Sequence, residues 1–254
     1  YSRFEHTSNG ISLELLQFVP LEDPLKISRL RLHNRSDETR QLSVTQYVDW
    51  VLGNQRSRSA PFIVTEIEPA TGALLARNPW STEFPSRVAF MDMAGRQQGC
   101  TADRAEFIGR HGSLAEPAAL LGSQPLSNHC GGGLDPCGAM QTRMTLQPGE
   151  AVDLTFLLGE EASAAAAAAL IERYRTLDLD AVLKEVTGFW DQTLGTLQVK
   201  TPDRSMDILL NGWLLYQTRI CRVGARTGFY QSSGAYGFRD QLQDVMALCV
   251  SNPG

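Results

Sequence analysis

The chain has 254 residues, of which 43% are hydrophobic and 20% are charged. This composition is typical of soluble globular proteins, and the length is sufficient for a substantial core. A net charge of −5 and a pI near 5.4 argue against a broad nucleic-acid-binding surface. No apolar run approaches the roughly 18 residues that a membrane-spanning helix requires. Because the chain opens at Tyr1 without a methionine or a charged-then-apolar leader, we expect it to be part of a longer protein.

The cysteines and histidines give no sign of a disulfide framework or a metal centre. The five cysteines are an odd number without a CxxC pair, and the four histidines lack the spacing of metal ligands. We therefore expect free thiols in a reducing, cytoplasmic environment, with neither a metal nor an organic cofactor.

The first 160 residues predict β structure. Residues 11–15 and 25–32 alternate apolar and polar side chains, as half-buried strands do. In the second of these runs the apolar positions change face, which predicts a bulge or twist near Ser28. Further strands are predicted at 41–51, 61–67, 73–76, 87–93, 139–146 and 151–158. Many short strands joined by turns, such as 147–150, favour a β-sandwich over a parallel sheet.

Helical signals replace this pattern from residue 160 onward. Helices are predicted at 160–175, which includes an alanine run, and at 179–194, followed by a β-like segment at 196–200. Thr201 as the cap and Pro202 at the first position predict a helix to about Arg222. This helix is apolar nearly all round, so we expect it inside a larger helical assembly together with a last helix at 239–250.

Two short motifs are better explained by structure than by chemistry. The glycine-rich segment 131–136 lacks the Lys-Ser/Thr ending of a phosphate-binding loop, so we interpret it as a surface loop. Residues 34–36 match a glycosylation sequon, but in a chain of this character they predict a turn.

Residues 229–244 are the strongest candidate for a binding site. A glycine-rich aromatic loop leads into Arg239, Asp240 and a predicted helix. Asp240 and Asp244 are four residues apart and so lie on one helix face, with Asp240 at the helix start, where a carboxylate is favoured. The carboxylate could accept hydrogen bonds from two sugar hydroxyls, and Arg239 could orient it or bind the ligand. The rings that could stack on a sugar are Tyr230, Tyr236 and Phe238. The alternative is a capped helix in which an Arg–Asp ion pair closes a structural loop.

The segment YQSSGAYGFRDQLQD, at 230–244, resembles the signature of the glycoside hydrolase family 94 phosphorylases, formerly glycosyltransferase family 36. Within that family the similarity is greatest to the phosphorylase-like region of cyclic β-1,2-glucan synthases. Other matching stretches, in the same order along the chain, are 44–53, 103–110, 133–137 and 213–217. Several ordered matches are far more specific than one short motif.

The resemblance implies an N-terminal β-sandwich, a helical linker and an (α/α)6 barrel. Here the domains would be 1–160 for the sandwich, 161–200 for the linker and 201–254 for the first helices of an incomplete barrel. The implied reaction is inverting phosphorolysis of a β-glucoside. Inorganic phosphate, the co-substrate, attacks the anomeric carbon while an aspartic acid protonates the leaving oxygen.

The resemblance also implies site residues. Asp240 matches the aspartate that binds the sugar of the donor (−1) subsite, Arg239 lies beside it, and Gln231 and Tyr236 lie on the same loop. Cellobiose-acting members carry an additional arginine upstream in this loop, where this chain has small residues around Gly234, which favours a β-1,2-glucan substrate. We find no Gly-Asp-Trp-Asn-Asp-like segment, so we expect the general acid beyond Gly254 and predict that the chain alone is inactive.

We therefore expect part of a glycosyltransferase of the phosphorylase type that controls glucan chain length in cyclic β-1,2-glucan synthesis. An alternative from another class is a non-catalytic sandwich that binds carbohydrate or mediates dimerisation, and a third is an inverting hydrolase. The expected partners are a β-glucan oligosaccharide, phosphate and a second copy in a homodimer, with no nucleic acid and no membrane contact by this chain. The parent could still be an inner-membrane protein with this region in the cytoplasm.

Overall fold

The described part of the chain contains ten β-strands in two antiparallel sheets. The computed structural model describes residues 1–122, 124–224 and 238–251. The strands are β1 Ser2–Ser8, β2 Ile11–Phe18, β3 Leu25–Asn34, β4 Arg40–Asp49, β5 Val64–Ile67, β6 Leu74–Arg77, β7 Val88–Asp92, β8 Gly99–Asp103, β9 Pro136–Leu146 and β10 Ala151–Glu161. The larger sheet has the order β1-β2-β3-β10-β7-β6-β5, and the smaller has the order β4-β9-β8. The predicted sandwich followed by helices is confirmed.

The helices are short before residue 160 and longer after it. They are α1 Arg56–Ser59, α2 Arg104–Phe107, α3 Ala118–Leu121, α4 Ala164–Thr176, α5 Leu179–Leu194, α6 Arg204–Ile208, α7 Leu214–Thr218 and α8 Phe238–Ser251. A 3₁₀ turn covers Ala60–Phe62, and wide π-type turns cover Leu209–Trp213 and Arg219–Gly224. The chain divides into a sandwich unit, Tyr1–Leu183, and a helical unit, Lys184–Gly254. None of the described helices is both long and apolar enough to cross a bilayer.

Strand β3 is buried on both faces. Leu30 and Leu32 face the core between the sheets, whereas Leu25 and Ile27 lie on the opposite face of the strand. The bulge predicted near Ser28 is wrong, because β3 pairs with β2 and β10 in unbroken register. The apolar positions change face because apolar residues on both faces of β3 are buried, and no irregularity of the backbone is needed.

Helix α4 covers the outer face of the larger sheet. It contacts β7 and β10, and its buried residues are Ala167, Leu170, Ile171 and Tyr174. Residues 160 and 161 still belong to β10, so the helix begins later than its sequence predicts. The Ser163 side chain caps it by accepting a hydrogen bond from the Ala166 N–H at 3.2 Å.

A buried ion pair fixes α4 to the sheet. The Asp92 side chain, on β7, has no exposed surface, and its Oδ1 lies 2.6 Å from Nη2 of Arg175 on α4. The same carboxylate accepts hydrogen bonds from the Ala94 N–H at 2.9 Å and from the Gln97 amide at 3.1 Å. Burial of a charge is tolerated here because every part of the carboxylate has a donor.

In the core between the sheets, the side chains of Met91 and Trp50 lie very close to the backbone of Gly138. Trp50, Met91 and Met140 are buried there with aliphatic residues of both sheets. A Cβ added at Gly138, on β9, would lie 2.3 Å from Sδ of Met91 and 3.0 Å from Nε1 of Trp50. A side chain at this position would therefore displace the Met91 and Trp50 side chains from their places in the core.

Two strands escaped the sequence prediction. Strand β1 is exposed along its whole length and carries mostly polar residues, so it shows no apolar alternation. It forms because its backbone pairs with β2 over seven residues. Strand β8 is short, consists mostly of small residues and is buried at Cys100, Thr101 and Ala102. Backbone pairing at an edge and burial among small residues leave no periodic signal.

The sequon at 34–36 is a structural turn, as predicted. Asn34 is fully buried, and its amide nitrogen donates to the carbonyl oxygens of Glu38 at 2.8 Å and of Leu146 and Gln147 at 3.1 Å. All donor capacity of this amide is used inside the fold.

The helical unit begins differently from its sequence prediction. Asp203, and not Thr201, caps α6, because its Oδ1 accepts the Ser205 N–H at 2.8 Å. The Thr201 backbone N–H and hydroxyl instead donate to Asp207. The predicted single helix to Arg222 is broken at Gly212, whose φ of 176° and ψ of −53° lie outside the helical region.

The β-like segment at 196–200 does not pair as a strand. The Asn211 side chain supplies both hydrogen bonds of Val199, accepting its N–H at 2.7 Å and donating to its carbonyl at 2.8 Å. An amide side chain thus replaces a neighbouring strand.

We predict that Arg175→Met lowers the free energy of unfolding by about 3 kcal/mol, because it leaves the buried Asp92 carboxylate without its cation. Urea denaturation of both proteins measures this loss. Arg173→Met is the matched control, since Arg173 lies on the same helix, is 51% exposed and pairs with Asp23. Its expected loss is below about 1 kcal/mol, and equal losses for the two variants would contradict this account.

Candidate functional site

The predicted sugar-binding residues are only partly within the described structure. Asp240 is the third residue of α8, so its backbone lies in the first turn of a helix, and Arg239 beside it is exposed. Gln231, Tyr236 and the position of the Asp240 side chain lie outside the described residues. The assignments of all four residues therefore stay predictions.

The second carboxylate of this helix has a structural partner. Oδ2 of Asp244 lies 2.5 Å from Nε of Arg222, in the wide turn that follows α7. An Arg–Asp ion pair therefore exists in this unit between Arg222 and Asp244, whereas the predicted pairing of Arg239 with Asp240 involves a side chain outside the described residues and stays a prediction. At about 40% exposure each, the two side chains form a partly solvated ion pair.

Aromatic rings pack against one another in the helical unit. The Trp190 and Tyr216 ring centroids are 5.2 Å apart, and the Trp213 and Tyr216 centroids are 6.1 Å apart. The Arg219 guanidinium lies 5.3 Å from the Phe189 ring centroid. The stretch 213–217 thus supplies a packing cluster that joins α5 to the helices after it.

A network of two arginines and two aspartates lies at one end of the smaller sheet. Arg56, on α1, donates through Nη2 to Asp135 at 2.5 Å and through Nη1 to Asp49 at 3.3 Å and to the Pro136 carbonyl at 3.1 Å. Arg104, which opens α2, lies 3.7 Å from each of the two carboxylates. We call these four charged residues the Arg56 network.

The Arg56 network unites three of the stretches that carry the family resemblance. Stretch 44–53 supplies Asp49, stretch 103–110 supplies Arg104, and stretch 133–137 supplies Asp135. Sequence reasoning singled out the stretches without predicting their contact, because only the pairing of β4 and β8 with β9 brings their ends together.

Burial raises the pKa values of three side chains on the strands of the smaller sheet. Tyr47 donates its hydroxyl hydrogen to Asp49 at 2.7 Å, and burial together with this bond raises the pKa of Tyr47 above its usual value. Burial raises the pKa of the Cys137 thiol to about 12 and that of the Cys100 thiol to about 11. Both thiols are therefore protonated near neutral pH and are poor nucleophiles.

The arrangement suits structure more than chemistry. The two guanidinium groups balance the two carboxylates, and Asp103 caps α2 by accepting the Ala105 N–H at 2.9 Å. Among the described residues, no group of His, Cys, Asp and Glu side chains is placed to hold a metal ion.

Comparison with known proteins decides the family. The supersandwich domain of glycosyl hydrolase 94 matches residues 1–177, and the catalytic domain of the glycosyl hydrolase 94 superfamily matches residues 189–254. The chain belongs to glycoside hydrolase family 94. The members of this family are inverting phosphorylases, which act on a sugar and phosphate.

Several curated proteins are similar to the whole chain. It is 40% identical over 253 residues to the cyclic beta-(1,2)-glucan synthase NdvB of Rhizobium meliloti (strain 1021), and it spans 9% of that protein. It is 26% identical to the N,N'-diacetylchitobiose phosphorylase of Vibrio proteolyticus and to the solabiose phosphorylase of Paenibacillus borealis. It spans 32% and 33% of these two proteins. This family 94 chain thus spans between about a tenth and a third of the relatives it matches.

We predict that Arg56→Ala lowers the free energy of unfolding by about 1–2 kcal/mol, because Asp49, Asp135 and the Pro136 carbonyl lose a shared donor that solvent replaces only partly. Arg56→Lys should restore little, since an ammonium group cannot reach all three acceptors as the planar guanidinium does. Thermal unfolding measures both changes. Arg58→Ala is the control, because Arg58 is exposed on the same short helix, and a loss as large as that of Arg56→Ala would argue against the network.

Proposed function

We propose that the chain is part of an inverting phosphorylase that cleaves β-1,2-glucosidic bonds and thereby controls glucan chain length. The 40% identity to a cyclic beta-(1,2)-glucan synthase over 253 residues carries the proposal. The phosphorylases of other disaccharides are only 26% identical over a similar length, so the more similar relative supports the choice of linkage.

The proposed reaction transfers a glucosyl group to phosphate. A phosphate oxygen forms a bond to the anomeric carbon as the bond to the glycosidic oxygen breaks, and an aspartic acid gives its proton to that oxygen. Direct displacement inverts the β configuration, so the product is α-glucose 1-phosphate. We expect the general acid and the phosphate-binding groups beyond Gly254, so this chain alone should be inactive.

We assign the donor-sugar contact to Asp240. A carboxylate in the first turn of a 14-residue helix is stabilised by the helix dipole, and there it can accept hydrogen bonds from two neighbouring sugar hydroxyls. Asp244 is less suited, because Arg222 already engages it. Arg239 would orient the sugar or the carboxylate, and Gln231 and Tyr236 would complete the contact from the preceding loop.

The same proposal covers the partners. A β-glucan oligosaccharide and inorganic phosphate are the substrates, a second copy of the chain forms a homodimer, and the site of action is the cytoplasm. A net charge of −5 disfavours a nucleic-acid partner.

The test measures α-glucose 1-phosphate released from linear β-1,2-glucan, with and without phosphate, by a chain extended through the whole barrel. Asp240→Asn should lower kcat/KM by about 100-fold or more, because two charge-assisted hydrogen bonds to the sugar become neutral ones. Glu172→Gln, which makes the same chemical change on the exposed face of α4, should leave kcat/KM unchanged.

Other outcomes would contradict the proposal. Glucose release without phosphate would indicate a hydrolase, and phosphate-dependent product from the 254-residue chain would show that its catalytic groups are already present. An Asp240→Asn variant with unchanged kcat/KM would remove the site assignment while leaving the reaction.

A further inference from the structure

An exposed pair of aromatic rings lies on the sandwich unit, far in sequence from the predicted sugar site. The Trp80 side chain is 73% exposed and lies beside Phe62, with ring centroids 5.2 Å apart and planes inclined by 30°. Phe84, in the same loop as Trp80, is 61% exposed. We call Phe62 and Trp80 the ring platform.

Hydrogen bonds hold the loop that presents Trp80. The Asn78 side chain is buried. Its amide nitrogen donates to the Leu52 carbonyl at 2.9 Å, and its amide oxygen accepts a hydrogen bond from the backbone N–H of Trp80 at 3.1 Å. The Ser81 N–H bonds the Asn78 carbonyl at 3.0 Å, and the Ser81 hydroxyl accepts the Phe84 N–H at 3.0 Å. The exposed indole is thus carried by a backbone that hydrogen bonds hold in one conformation.

The backbone that receives this loop is itself unusual. Leu52 has a φ of +38°, in a region that a branched side chain rarely adopts. Its carbonyl is the acceptor for Asn78. Strained residues persist where the surrounding structure fixes them, and they are concentrated near functional surfaces.

The chemistry of the ring platform selects its ligand. Residues 78–87 carry one acid, Glu83, and one base, Arg87, so the loop is neutral overall. The 3₁₀ turn that bears Phe62 has no charge. A neutral aromatic surface gives no attraction to phosphate or to an anionic polymer. It suits a neutral ring with an apolar face.

A β-linked glucose ring is such a ligand. All its ring substituents are equatorial, so each face presents only C–H groups, which pack on the electron-rich face of an indole. The hydroxyls lie at the rim, where they can reach solvent or neutral polar groups such as Ser81 and Thr82. Phe62 packs against the indole of Trp80, and the exposed remainder of the indole is the surface on which a sugar ring can stack.

We propose that the ring platform of the sandwich unit binds a β-glucan chain. This inference rests on the proposed function for the identity of the glucan. A platform of this kind would hold the polymer near the enzyme, so that it raises affinity for long chains and leaves short ones unaffected.

The test is affinity gel electrophoresis of the 254-residue chain in gels that contain long linear β-1,2-glucan, without phosphate. Trp80→Ala should raise the apparent Kd about tenfold, and Trp80→Phe, which keeps a ring, should raise it only two- to threefold. Phe4→Ala is the matched control, because Phe4 is 53% exposed on β1 and should leave retardation unchanged.

The other results decide against the proposal. Equal retardation of Trp80→Ala and the unsubstituted chain, or no retardation at all, would overturn it. A change of oligomeric state in Trp80→Ala by sedimentation, with glucan binding unchanged, would assign the rings to a protein interface instead. If Trp80→Ala fails to fold, Trp80→Phe carries the test, and a tenfold loss there would also contradict ring stacking.

The two proposals fail in distinguishable ways. Trp80-dependent glucan retardation without phosphorolysis in the extended chain would remove the proposed reaction and keep the ring platform. Phosphorolysis by the extended chain without Trp80-dependent retardation would remove only the ring platform.

Discussion

The burial of both faces of the larger sheet at its central strands β10 and β7 is the constraint on which the sandwich unit depends. The smaller sheet covers one face, and α4 covers the other at β7 and β10. Arg175 and Asp92 fix that helix in place through a buried ion pair. An isolated alanine-rich helix gains little from burial, because its side chains are small. Here it is held by a charge that the sheet cannot leave unpaired, so α4 belongs to the sandwich although it follows the last strand.

This two-sided burial explains which strands could be predicted from sequence. The runs 11–15 and 25–32 alternate apolar and polar residues, and both form strands. The change of face within the second run was visible, but the sequence does not show that both faces of this strand are buried. The change of face was therefore interpreted as a bulge or twist near Ser28. Strand β1 has almost no apolar residues and therefore gives no pattern in the sequence. It is stabilised by backbone pairing with β2.

In the candidate sites, too, motifs of consecutive residues could be recognised from the sequence, whereas contacts between residues distant in sequence could not. The stretches at 44–53, 103–110 and 133–137 were recognisable one by one, since each is a run of consecutive residues. Their meeting in the Arg56 network depends on the register of β4 and β8 against β9, which no single stretch contains. In α8 the spacing of Asp240 and Asp244 was readable, yet the partner of Asp244 is Arg222, which lies 22 residues earlier.

The contacts around an exposed aromatic residue indicate whether it packs within the fold or is available to a ligand. In the helical unit Trp213 is 54% exposed, but its ring contacts Tyr216, so packing within the unit accounts for its position. Trp80 is 73% exposed and touches one other exposed ring, while Asn78, Ser81 and the Leu52 carbonyl fix the backbone beneath it. Ordering a loop costs conformational entropy, and exposing an indole to water forgoes the gain from burying it. At Trp80 the backbone is ordered and the indole is nevertheless exposed to water. This combination is the reason to assign a ligand to this surface rather than to the more numerous rings of the helical unit.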